Sequence, residues 1–257
     1  MGNGRKSNLQ RKSNHDIISH NTAQIKSWAE VLKMRTDMGQ DSISRDEETE
    51  WYVNNGTKAF GVNQYLREQA GITNKQHAQY LKENELKDVR DTVDSWMRPT
   101  TDDVVVTRFV GPHWIESTFG VKVPSVGWEY DVHAVSSQIL NIIKTDRPSY
   151  TDPAFLSTST DVNKNVFSGR IAKISIDVPK GTNAYVTLNK MESEIILARG
   201  TTLQFTRATY NKSNNQITFY AKVVNTSERN PHTDVTPGIV VKKTNSKKST
   251  TKKPVKN

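Results

Sequence analysis

Cysteine is absent from the chain. Disulfides, thiolate nucleophiles and zinc–thiolate sites are therefore excluded. Without cysteine the compartment stays open, because cytosolic proteins and some secreted bacterial proteins both fit. No apolar run approaches the length of a membrane-spanning helix. The N-terminus also lacks the apolar stretch of a conventional signal peptide. Met1-Gly2 opens like an acylation signal, but Lys6 stands where serine or threonine is required. There is no Gly-x-Gly-x-x-Gly, no P-loop and no His-Glu-x-x-His. The 6 histidines are scattered, and Asp131 and His133 are too isolated to suggest a metal site. No metal is expected.

Acidic residues are missing from both ends. Residues 1–13 carry Arg5, Lys6, Arg11 and Lys12, and residues 240–257 carry seven lysines. Removing these from the 36 Lys and Arg leaves 25, against 27 Asp and Glu in the remainder. The net charge of +9 thus belongs to the tails, and the body is slightly acidic. Any contact with nucleic acid is expected only through these arms, weak and salt-sensitive. The expected division is a basic disordered arm over 1–18, a folded domain over 19–230 and a Lys-rich disordered tail over 231–257.

The first half of the body reads as helices. Asn21 with Gln24 resembles a capping box, followed by Ile25, Trp28 and Leu32 at helical spacing. Ser44 with Glu47 repeats the signature, and Asn54-Asn55-Gly56 ends that helix. Phe60–Glu68 reads as a short helix stopped at Gly71. The strongest helix carries Leu86, Val89, Val93 and Trp96, with Pro99 closing it.

The second half reads as strands: 104–110, 154–159, 170–178, 184–188, 194–199, 202–207 and 216–224, interrupted by a helix around Val135, Ile139 and Ile143. Helices followed by strands predict an α+β fold, with helices packed on mainly antiparallel sheets.

Three features carry chemistry, in chain order. Arg108 lies inside an apolar strand, where a guanidinium needs an anion or a salt bridge. Phe155-Leu156-Ser157-Thr158-Ser159 places hydroxyls after two apolar residues, as an ordinary strand edge also would. Glu192-Ser193-Glu194 precedes the apolar run Ile195-Ile196-Leu197-Ala198. In a strand, residues two apart share a face, so both carboxylates would project together, roughly 6.5–7 Å apart along the backbone. A pair of acids suits reactions that build positive charge on a sugar while activating a nucleophile. Solvated charges at an edge strand have the same pattern.

Taken together, the arginine, Ser-Thr-Ser and Glu-x-Glu resemble the R–S–E class of mono-ADP-ribosyltransferases, of the exoenzyme type found in bacterial binary toxins and some bacteriophages. Val62-Asn63-Gln64-Tyr65-Leu66-Arg67, Val178-Pro179-Lys180-Gly181 and Glu192 through Gly200 also look like family segments, and the resemblance spans roughly 20–225. It implies an ADP-ribosyltransferase fold: N-terminal helices on two mainly antiparallel sheets around an NAD cleft. It implies NAD as co-substrate and Glu194, Glu192, Ser157 and Arg108 as catalytic residues. Glu194 would stabilise the ribosyl cation and bind ribose hydroxyls, Ser157 would orient Glu194, Arg108 would hold a phosphate, and Glu192 would engage the acceptor. A glutamate at 192 resembles members that modify arginine. Arg108, Phe109, Ser157, Thr158, Ser159, Phe167 and Glu194 would line the NAD site, although Phe109 stands where a small residue is expected. Leu188–Met191 would form the substrate-recognising turn, with Tyr185 as the nearest aromatic upstream. The expected partner is a protein of a host cell, reached in its cytoplasm after injection or secretion, and the enzyme is expected to be a monomer. NAD hydrolysis, transfer to nucleic acid, and an inactive fold that binds through its basic tails are the alternatives.

Overall fold

The computed structural model describes residues 26–72, 81–161 and 167–224. The basic arm, the Lys-rich tail and the Asn21–Gln24 capping box lie outside these residues. Four helices come first: α1 (Trp28–Asp37), α2 (Arg45–Trp51), α3 (Gly56–Gln69) and α4 (Glu83–Trp96). The capping box of α1 is built by Ser27 and Glu30. Ser44 caps α2 by accepting from the Glu47 amide, as its sequence signature predicts. Asn54 turns the chain at φ +59°, and Asn55 then caps α3 by accepting from the Lys58 amide. Gly61 sits inside α3, where alanine would ordinarily be preferred. A methyl there would come within 3.2 Å of Leu86 Cδ2, so this glycine lets α3 approach α4.

The strands are β1 (Arg98–Pro99), β2 (Val104–Val110), β3 (Ser125–Val126), β4 (Glu129–Tyr130), β5 (Ser149–Thr151), β6 (Leu156–Ser159), β7 (Ala172–Val178), β8 (Asn183–Val186), β9 (Glu194–Leu197), β10 (Thr202–Asn211) and β11 (Gln216–Val224). Two more helices, α5 (Pro112–Phe119) and α6 (His133–Asp146), separate β2 from β5. The sequence reading contains α6 but not α5. Helix α5 spans eight residues, with Gly111 and Pro112 at its start and Gly120 left-handed at its end.

Nine strands form one hydrogen-bonded sheet in the order β1-β8-β9-β6-β2-β7-β11-β10-β5. Its pairs are antiparallel except β7–β11, which is parallel. The two expected sheets are the two arms of this assembly. They meet at β2 and β6 through one register pair, Thr107↔Ser159. The main core draws Val106, Ile174, Ile176 and Phe219 from one arm, and Leu156, Ile195, Leu197 and Val186 from the other. A second cluster packs Tyr52, Val62, Leu66, Leu86, Val89 and Val93 of the helical half against Phe155, Tyr185 and Ile196. Burying each of these larger side chains contributes roughly 1.5–3 kcal/mol. The helical layer therefore fixes β6, β8 and β9 from one side, and these strands carry Ser157 and Glu194.

Strand β8 is nearly an edge, because β1 pairs only with Ala184 and Asn183. Side chains from the helical half cover the rest. Gln40 Nε2 donates to the carbonyls of Trp96 and Ala184, 2.9 Å each, and Gln40 Oε1 accepts from the Val186 amide at 3.1 Å. Arg35 donates to the Val186 carbonyl. Two buried polar side chains thus stand in for a missing strand. Among the described residues, no helix is long and apolar enough to cross a membrane.

Candidate active site

The site lies where the two arms meet. Register pairs Ser159 with Glu194 and Ser157 with Ile196 across β6 and β9. Ser157 is therefore one diagonal step from Glu194 on the same face, within reach of a short side chain. Its hydroxyl donates to Glu194 Oε1. Arg108 Nη1 donates to the Ser157 carbonyl at 2.6 Å. Arg108, Ser157 and Glu194 are brought together around the single-pair junction.

Glu194 is only 6% exposed. Its carboxyl is raised from an ordinary 4.5 to about 7. Burial is the main cause. The Ser157 hydrogen bond opposes it, Glu192 and Glu48 add to it by like-charge repulsion, and Arg108 opposes it. Burial wins over both favourable partners. The group is thus poised to exchange a proton near neutrality. Arg108 is itself pushed down, first by burial and then by the neighbouring Arg67 charge.

Glu192 corrects the strand expectation. Strand β9 begins only at Glu194, and Met191–Ser193 form a turn in which Ser193 is left-handed, φ +47°. The two acids therefore leave the backbone from different local structures and do not alternate along one strand. The turn is tied to β6. Ser159 Oγ donates to the Glu192 carbonyl at 2.5 Å, and the Thr160 amide donates to the Ser193 carbonyl at 3.0 Å. These bonds stabilise a conformation that a non-glycine residue adopts at some cost. Glu194 is inward and protected, whereas Glu192 is half-buried on the turn.

The remaining predicted contacts divide. Thr158 Oγ1 donates to the Ile195 carbonyl, so it links β6 to β9 inside the fold. The Ser159 hydroxyl is likewise engaged, with the Glu192 and Asp161 carbonyls. The Phe109 ring is buried, and its carbonyl accepts from Arg170 at 3.1 Å. Phe167 is 50% exposed, with the Arg170 guanidinium 4.1 Å over its ring. Tyr185 is fully buried and packs on Trp96. The large apolar side chain exposed on the turn is Met191, at 79%.

Several residues around the acids escaped the sequence reading. Tyr52 accepts from Asn63 Nδ2 at 2.6 Å, and Asn63 Oδ1 accepts from the Phe155 amide at 3.0 Å. Tyr52 is held in its neutral form chiefly by burial, with the Glu194 charge adding to the effect. Arg67 makes two bonds to Asp152, 3.2 and 3.1 Å, and Asp152 also accepts from the Ala154 amide. Asn63 and Arg67 both fall within the 62–67 segment that the resemblance singles out. Asp152 and Arg170 had no comparable signal. Among the described residues, no group of three or more His, Cys, Asp or Glu could hold a metal.

This architecture is similar to that of solved bacterial ADP-ribosyltransferases. The fold is similar to the Staphylococcus aureus C3stau2 structure with NAD, at TM-score 0.57 and 20% identity, covering 78% of this chain and 97% of that one. It is similar to Plx2a, an ADP-ribosyltransferase toxin from Paenibacillus larvae, at TM-score 0.55 and 18% identity, covering 77% and 96%. It is similar also to the ADP-ribosylating toxin BECa of a Clostridium perfringens binary enterotoxin, solved with NADH, at TM-score 0.56 and 16% identity. There it covers 79% of this chain and 49% of the longer BECa chain. No curated protein matches the chain. Residues 18–226 match the family described as ADP-ribosyltransferase exoenzyme, and the chain belongs to that family.

Proposed function

We propose that the protein transfers ADP-ribose from NAD to arginine side chains of a target protein, releasing nicotinamide. The observation that carries this reading is the pairing of a buried carboxylate, held by Ser157, with a second, more accessible carboxylate two residues earlier. In the reaction, the bond between ribose C1′ and the nicotinamide nitrogen breaks, and its electron pair leaves with nicotinamide. Ionised Glu194 stabilises the positive charge that develops on the ribose. Ser157 keeps that carboxylate oriented, and Arg108 supplies a cation for the diphosphate. Glu192 orients the incoming guanidinium and takes a proton from it, so that a guanidine nitrogen forms the new bond to C1′. Thr158 and Ser159 act by fixing the backbone that carries both acids, and half-exposed Phe167, with Arg170 over its ring, offers a stacking face.

The target is a protein of a cell into which the enzyme is delivered. Incubation with labelled NAD and a host-cell lysate, followed by mass spectrometry of the modified peptides, tests the reading. Label on arginine is expected. Label confined to another residue type, or to nucleic acid, overturns the acceptor assignment.

A further inference from the structure

Glu48 is a buried acid assigned no step in the reaction above, although its charge adds to the upward displacement of Glu194. It sits on α2 at 1% exposure. Both of its oxygens accept from the Leu188 amide, each at 3.0 Å. Tyr185 also donates to Oε1, and Arg35 Nη1 donates to the same oxygen at 3.0 Å. Arg35 is itself buried and fixed by the carbonyls of Ile43 and Val186. Leu188 opens the turn that runs through Glu192 to Ser193. A second link from the same helical segment reaches the next residue, where Asn189 Nδ2 donates to Asn54 Oδ1 at 3.4 Å. On the far side of the turn, Ser159 and Thr160 hold Glu192 and Ser193 by their carbonyls.

A carboxylate buried this deeply is costly unless every oxygen is satisfied. Tyr185 and Arg35 keep the group in place, and the bond it makes outward goes to the turn. We propose that Glu48 is a positioning residue for acceptor recognition: clamped by Arg35 and Tyr185, it anchors the Leu188 end of the 188–193 turn and sets the height at which Glu192 and Met191 meet the incoming guanidine-bearing substrate. The inference rests on the arginine-transfer reading given above. Anchoring at one end by Glu48 and at the other by β6 leaves only the tip, Lys190 and Met191, exposed to a partner.

The test compares the full-length protein with Glu48→Gln, using NAD and agmatine as the small guanidine acceptor. Glutamine keeps one acceptor oxygen but replaces the other with a donor facing donors. The KM for agmatine is expected to rise about tenfold, the scale of one lost hydrogen bond. NAD hydrolysis without acceptor is expected to change by less than about threefold. A general weakening of the fold would lower both together. Equal losses in both, or an unchanged KM, overturn the proposal. Wild-type protein that hydrolyses NAD but never labels agmatine overturns the arginine reading, and the proposal with it. Should Glu48→Gln fail to fold, hydrogen exchange on the unaltered protein decides. The Leu188 amide is expected to exchange at least about 100-fold more slowly than in an unstructured chain, and free exchange there contradicts the clamp.

Discussion

Glu194→Gln should make the protein more stable, and increasingly so as pH rises. Glu194 has a proton affinity displaced upward, from an ordinary 4.5 to about 7, chiefly by burial. Below about pH 4.5 the folded and unfolded chains both carry this proton, and Glu194 contributes no pH dependence. Between there and about 7, the folded state holds the proton while the unfolded state releases it. Stability is therefore lost as pH rises through this window. Above it, the folded protein bears a buried carboxylate at full penalty. At about 1.4 kcal/mol for each tenfold change in proton affinity, that penalty is on the order of 3 kcal/mol. A neutral glutamine of nearly the same shape avoids it, and its amide oxygen can still accept from Ser157. From pH 5 to pH 8 the stability gap between variant and wild type should widen by roughly 2–3 kcal/mol, or about 5–10 °C in Tm for a domain of this size. Thermal unfolding of both proteins at pH 5, 6, 7 and 8 measures it. A Tm difference that stays flat with pH, or a variant less stable than wild type at pH 8, would refute the reasoning.

Other expectations follow from the same geometry. The proposed reaction uses the ionised form of Glu194, so NAD hydrolysis should rise with pH to half-maximum near 7 on its acid limb. Ser157→Ala should move that midpoint upward, because the serine bond favours ionisation, and a pH–rate profile checks this. Asp152→Ala leaves Arg67 without its two-bond partner beside Arg108. It should lower stability by about 3 kcal/mol, read by urea denaturation. Deleting 240–257 should leave transfer to agmatine unchanged, and a large loss would mean that the tail belongs to the active domain.

The strands were the most legible part of the chain. Strand β2 runs over 104–110 as its valine-rich segment predicts, and the alternation of Ile174, Ile176 and Val178 matches a strand with one buried face. Boundaries slipped where tertiary contacts decide them. The 194–199 segment ends as a strand at Leu197, and Arg199 is drawn to Asp94 of α4, 2.8 Å away. Helix α5 was hidden because its few apolar residues, between a proline and a glycine, read equally well as loop. The motif residues Arg108, Ser157 and Glu194 stood out because their types and order are distinctive, and the fold links the three by hydrogen bonds. Their supports could not. Arg35 and Glu48 lie on short charged helices and look like solvated surface, yet both are buried, because only the three-dimensional pairing across 13 residues neutralises them. Alternation misled at Glu192, because a left-handed serine breaks the strand pattern and no local signal announces a positive φ outside glycine or asparagine.

The central claim is that the two acids have separate tasks, Glu194 at the ribose and Glu192 at the acceptor. The most direct measurement follows labelled NAD with and without agmatine, scoring hydrolysis and transfer side by side in wild type, Glu194→Gln and Glu192→Gln. Glu194→Gln should lose both activities by at least about 100-fold while staying folded, about 2.7 kcal/mol or more of transition-state stabilisation. Glu192→Gln should lose transfer by a similar factor and hydrolysis by much less. Equal loss of both activities in Glu192→Gln, or near wild-type activity in Glu194→Gln, would contradict the account.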